Sequence, residues 1–135
     1  MTKPTLPRGG HVPQASGALI GESLRVGAAI ERVPLVIRRI VRADVGDTSS
    51  GQPLTWTFLE FEIDVVHTAD LADQLQEALD PTLGWYCDFR SPEETFVVFS
   101  GRIFRYGRGN LEGRREVEDY ARSVGVPDHQ LDWPE

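Results

Sequence analysis

Leu59-Glu60-Phe61-Glu62-Ile63-Asp64-Val65 alternates apolar and acidic residues one for one. A period of two belongs to a strand with one dry face and one wet face. Within a few residues the period changes. Thr68 is placed to cap a helix, Asp70 falls where a first-turn acid is favoured, and Leu71, Leu75 and Leu79 recur every four residues. This predicts an amphipathic helix over 69–80, stopped by Asp80-Pro81. A half-buried strand running straight into an amphipathic helix sets the class as α+β.

Upstream, Val33-Pro34-Leu35-Val36-Ile37-Arg38-Arg39-Ile40-Val41 reads as a β-branched strand whose alternation slips at the arginine pair. The slip predicts a bulge, and Pro34 an edge position. Gly46–Pro53 is a loop, so the two strands form a hairpin. Downstream, strands are predicted at Trp85–Arg90, Thr95–Phe99 and Ile103–Tyr106. A second helix follows: Asn110 caps it, Val117, Tyr120, Ala121 and Val124 give its apolar stripe, and Gly125 with Pro127 ends it. The order β-β-α-β-β-(β)-α predicts a two-layer sandwich, a mostly antiparallel sheet with both helices on one face, ferredoxin-like. Residues 1–17, with three prolines and three glycines, are expected to be a flexible tail before a single domain, 18–135. All twelve aromatic residues lie between Trp56 and Trp133, which places the expected core in 54–133. Leu131 and Trp133 are expected to dock on it.

The 135 residues carry a net charge of −7, which argues against nucleic acid or an anionic membrane as partner. No apolar run approaches the ~18 residues that span a bilayer, and no secretory leader is visible, so a cytoplasmic location is expected. The single cysteine excludes a disulfide scaffold. Charge is segregated: residues 43–89 hold ten acids and no Lys or Arg, while 1–42 hold seven bases and two acids. Such blocks either pair with each other or leave an acidic face for a basic partner.

Five arginines, Arg102, Arg105, Arg108, Arg114 and Arg115, surround the glycine-rich start of the second helix, against Glu112 alone. A helix N-terminus with unpaired N–H groups and bidentate guanidiniums suits a phosphate or carboxylate. Arg102, Arg108, Asn110 and Arg114 are therefore the candidate anion-binding residues; the alternative is a turn whose arginines pair with the acidic stretch 60–80. Strand parity puts Cys87 with Trp85 and Phe89, the setting of a buried apolar residue and not of a nucleophile. His11, His67 and His129 are isolated, so no metal site or cofactor is predicted. Glu60, Glu62 and Asp64 share one strand face, read here as its solvated side, although neighbouring carboxylates also suit acid–base work. Trp56 and Phe58 share that parity, which hints at cover by another segment or a partner.

The motifs Trp85-Tyr86-Cys87-Asp88-Phe89, Val97-Val98-Phe99 and Gly125-Val126-Pro127-Asp128-His129-Gln130-Leu131-Asp132-Trp133 carry a resemblance. Together with Glu22-Ser23-Leu24-Arg25 they make the chain similar to small, uncharacterised bacterial proteins of actinobacterial type. The resemblance covers most of 19–135 and implies the α+β architecture; it brings no activity with it. Two readings of function stand: a non-enzymatic binding or regulatory module acting through protein contacts or self-association, and a small-anion binding protein or small enzyme centred on the arginines. Their dispersal beside an open apolar sheet face favours the first, and their convergence on a cavity the second.

Overall fold

A computed structural model describes residues 13–46, 48, 51–131 and 133. One six-stranded sheet runs through it, formed by β1 (Gln14–Ile20), β2 (Val36–Asp44), β3 (Thr55–Asp64), β4 (Tyr86–Arg90), β5 (Glu94–Phe99) and β6 (Arg102–Gly107). Helix α1 (Thr68–Ala78) joins β3 to β4, and α2 (Leu111–Ser123) follows β6. The strand order is β2-β3-β1-β4-β5-β6, with every neighbouring pair antiparallel.

The strand missed by the sequence reading is the one at the centre. Residues 14–17 fall in the expected tail, yet they begin β1, which pairs with β3 on one side and β4 on the other. Ala15, Gly17 and Leu19 alternate onto one face, with no aromatic or β-branched side chain there to announce a core strand. The slot demands small residues: a Cβ on Gly17 would lie 2.5 Å from the Asp88 carbonyl oxygen and 2.7 Å from Phe89 Cβ. The core therefore reaches back beyond residue 54 to take in Ala15 and Leu19, with Leu24, Ile30, Val33 and Leu35 against it. Residues 1–12 lie outside the described residues.

Strand β1 also decides the topology. Because it separates β3 from β4, those two strands run parallel and are linked by α1, a split β-α-β unit. A ferredoxin-like sheet needs a second such unit. Here β4, β5 and β6 are consecutive neighbours, and among the described residues no strand follows α2, so the expected ferredoxin-like order is not the one found.

Nor do the two helices share a face. Phe96 and Val98 of β5 point into the cluster with Leu71, Leu75, Phe61, Cys87 and Phe89, under α1. Val97 and Phe99, of opposite parity, pack with Val117, Ala121, Val126 and Trp133, under α2. Each helix makes a two-layer sandwich with its own side of the sheet. The first cluster is held by the stacked Phe89 and Phe96 rings, 4.8 Å apart, and the second by Trp133 edge-on to Tyr86 at 5.3 Å.

Local features follow the chemistry with two adjustments. The β2–β3 hairpin forms, with its irregularity between Ile37 and Arg39, and β2 is an edge strand. Arg38 and Arg39 reach Glu62 and Glu60 at 2.8 and 3.6 Å, so the basic block does pair with the acidic one here. Asn110 caps α2 by accepting from Gly113 N–H at 3.0 Å. Thr68, by contrast, does not cap α1: it is the first helical residue, and its hydroxyl donates to Val65 C=O at 2.7 Å. The helix also ends at Ala78, earlier than expected, because Asp80 turns to accept from Thr82 N–H and hydroxyl at 2.8 and 2.6 Å.

Glu22, after β1, ties the turn there to β3, accepting from Thr57 N–H at 2.6 Å and its hydroxyl at 2.9 Å. Partial burial alone would raise its pKa, but the Thr57 bonds and the Arg42 charge outweigh it and hold the carboxyl below its ordinary value. A carboxyl whose pKa is lower folded than unfolded stabilises above its ordinary range, and that stability is lost as pH falls through the depressed value. Glu22→Gln should therefore cost on the order of 1 kcal/mol near pH 7 and progressively less as pH falls below the ordinary carboxylate range. Thermal melts of both proteins across that range check it; a gap that does not narrow on acidification would contradict the assignment.

Candidate functional site

The face of the sheet under α2 is covered only in part. Cross-strand register assigns its rows. One row runs Arg39, Glu60, Ala18, then Asp88, Val97 and Phe104. The row on one side holds Val36, Glu62, Ser16, Arg90, Thr95 and Tyr106, and that on the other Val41, Phe58, Ile20, Tyr86, Phe99 and Arg102. Helix α2 and the C-terminal segment lie over β5 and β6. Among the described residues no helix lies over β1, β3 and β4 on this face, and the small residues Ser16 and Ala18 make a trough along its middle.

At one end the trough deepens into a cavity of about 270 Å³. Ala18 and Ile20 come from β1, Trp56 and Phe58 from β3, and Tyr86 and Asp88 from β4, with Gln52, His129 and Gln130 at the rim. The walls are fixed from behind. Trp56 Nε1–H donates to Pro53 C=O at 2.8 Å, and its ring lies 5.3 Å from Trp85 and 6.0 Å from Phe58. The Tyr86 hydroxyl donates to Gln130 C=O, locking the strand to the C-terminal segment. Gln52, buried, donates from its side-chain amide to Leu83 C=O at 2.7 Å. The result is an aromatic box on a rigid base with a carboxylate in its lining.

Ala18 and Asp88 also line a neighbouring cavity of about 460 Å³, with Ser16, Arg38, Glu60, Glu62 and Arg90. Arg90 in turn lines a third, of about 520 Å³, with Ser91, Thr95, Arg108 and Gly109. The trough thus passes from aromatic to charged along β4.

Of the four candidate anion-binding residues, Arg108 lines a cavity, of about 520 Å³, where its cationic neighbour is Arg90. Arg102 stacks over Phe104 and Tyr120 at 4.6 and 5.1 Å, at the other end of β6. Asn110 is occupied as the α2 cap. Arg114 binds Glu118 at 2.6 Å and donates twice to Trp133 C=O, at 3.2 and 3.1 Å. The arginines do not pair with the acidic stretch 60–80 either; Arg105, for example, binds Glu94 at 2.6 Å.

Cys87 is sealed in the core, its thiol 3.6 Å from Ala18 C=O. Burial, and after it the negative charge of Asp88, push that thiol far above its ordinary pKa, so it is no nucleophile at neutral pH. Glu60 and Glu62 are paired with arginines, and Asp64 accepts a bond from Gln14. His67 ends the turn before α1 and His129 stands at the cavity rim. Among the described residues, no three His, Cys, Asp or Glu groups come together to hold a metal ion. Among them also, no helix is long and apolar enough to cross a membrane.

The sequence reading missed the box as a site, although its parts were visible. Trp56 and Phe58 share parity with Glu60, and Tyr86, Asp88 and Arg90 oppose Cys87. What joins the two sets is β1, which sequence reasoning had placed half in a tail. No family model, curated protein or solved structure matches the chain.

Proposed function

We propose that this is a cytoplasmic, non-enzymatic binding module whose working surface is the open sheet face over β1, β3 and β4. The observation that carries the reading is the aromatic cavity: Trp56, Phe58 and Tyr86 stand round a trough floored by Ala18 and Ile20. A pocket of apolar and aromatic walls with a few fixed polar groups is the usual form of a ligand site. The lack of an activated nucleophile at Cys87 and the pairing of Glu60 and Glu62 favour binding over catalysis.

A second reading keeps the anion. Arg90 and Arg108 border the 520 Å³ cavity, and neither guanidinium has an ion-pair or hydrogen-bond partner among the described residues. Nitrogen-15 NMR with a library of small fragments separates the two. The binding-face reading expects shifts at the Trp56 indole and at the Ala18 and Asp88 amides. Shifts confined to Ser91, Arg108 and Gly109, elicited by phosphate or carboxylates, would replace it with the anion reading. Shifts at the open face that grow with protein concentration alone would identify the partner as a second copy.

A further inference from the structure

We propose that β2 is a self-association edge, through which two copies of the chain pair antiparallel about a two-fold axis at Ile40. The inference is independent of the cavity reading: it assigns a different surface, and its partner is a second copy of this chain.

Strand β2 ends the sheet, and among the described residues no strand pairs with its outer edge. A long free edge is a template for another strand, and proteins commonly blunt it with charge. Here the charge is turned inward. Arg38 and Arg39 bond Glu62 and Glu60 of β3, while Arg42 reaches Glu22 at 3.4 Å and donates to the Thr57 hydroxyl at 2.8 Å. All three guanidiniums are held back over the sheet and matched by acids. That makes β2 a neutralised edge in a chain whose net charge of −7 otherwise sets copies against each other. What the edge presents is aliphatic: Val36, Ile37 and Ile40 are 45, 44 and 65% exposed.

The edge is complementary to itself in one register. A two-fold axis normal to the sheet sets each residue opposite one of like parity in the second copy. The irregularity at Arg38 leaves Ile37 and Ile40 on one face, opposite Phe61 and Leu59, which belong to the α1 side of the core. Centred on Ile40, the pairing puts Ile40 against its own symmetry mate, Arg39 against Val41 and Arg42 against Ile37. No arginine then faces another, and Ile37 and Ile40 of both copies make one apolar patch of cross-strand contacts. Centred on Arg39 or Arg42, the pairing would set like charges directly opposite. Centred on Val41, it would part the isoleucines and put Ile40 against Arg42.

Sedimentation velocity of the full chain between about 10 μM and about 1 mM reads the association, and the parent should be dimeric at the upper end. Ile40→Lys and Ile40→Glu each place like charges at the axis. Both should weaken the dimer at least about tenfold, with far-UV circular dichroism unchanged because the side chain is exposed. Mixing the two variants places opposite charges there and should restore a dimer tighter than either variant forms alone. A parent that stays monomeric at about 1 mM overturns the proposal. So does a dimer that withstands both substitutions, or a mixture that associates no better than its components.

Discussion

Gly17→Ala is expected to be among the most damaging single-methyl additions in the molecule. The added Cβ meets the Asp88 carbonyl oxygen at 2.5 Å and Phe89 Cβ at 2.7 Å. Neither is the free end of a flexible side chain. Strand β1 cannot retreat, because its other edge is hydrogen-bonded to β3 through Gly17 opposite Phe61. Overpacking of a core usually costs ~1–3 kcal/mol, and a clash against backbone in a central strand belongs at or above the upper end. With domain stabilities of ~5–15 kcal/mol, that is a large share of the total. Gly21→Ala is the matched control: its nearest neighbour would be Thr57 Cβ at 3.6 Å, ordinary contact, so its stability should change by less than ~1 kcal/mol. Urea unfolding of both variants decides the point, and comparable midpoints would mean that β1 is not clamped as described.

Trp133→Ala should cost ~3–5 kcal/mol, the range for deleting a buried large aromatic side chain. The side chain is 2% exposed, edge-on to Tyr86, and its backbone carbonyl receives both Arg114 bonds. Truncation would empty the second core cluster and release the segment whose Gln130 carbonyl holds the Tyr86 hydroxyl. Trp133→Phe makes a sharper comparison. The indole N–H is buried with no hydrogen-bond partner among the described residues, a defect worth ~1–3 kcal/mol that phenylalanine removes. The Phe variant should therefore keep most of the stability despite its smaller ring. Urea midpoints of the two variants measure the difference; equal losses would show that the ring is not in the core.

How much of this was readable in advance depended on whether the signal was local. The strand at Thr55–Asp64, helix α1 and the cap at Asn110 announce themselves through periodicity and one or two side chains, and their ends moved by only a few residues. Strand β1 announces nothing. Gly17 is there because the Asp88 carbonyl and Phe89 already fill the space, a constraint set 71 and 72 residues further along the chain. The same gap concealed the site. Parity put Trp56 and Phe58 on one strand face and Tyr86 and Asp88 on another, but only a third strand between them makes those faces one trough. The arginines misled for a related reason. Their density suggested convergence, whereas Arg102 answers to aromatic rings and Arg114 to a carbonyl near the chain end, partners that spacing cannot reveal.

The position of β1 between β3 and β4 also shapes how the sheet must assemble. The first of the described strands has its partners 50 and 74 residues further along, as at Gln14 with Asp64 and Ser16 with Arg90. Until both arrive, the β2–β3 hairpin and the β4–β5–β6 meander each have an inner edge unpaired, and those edges run parallel to one another, so joining them without β1 would need a parallel ladder in place of two antiparallel ones. Such long-range pairing is the slow part of folding. A chain beginning after Ile20 would keep the two half-sheets with a slot between them, lined on both sides by unsatisfied N–H and C=O groups. That slot would accept a separately supplied peptide of residues 13–20 by strand addition, making β1 a natural break point at which the protein can be divided and rejoined.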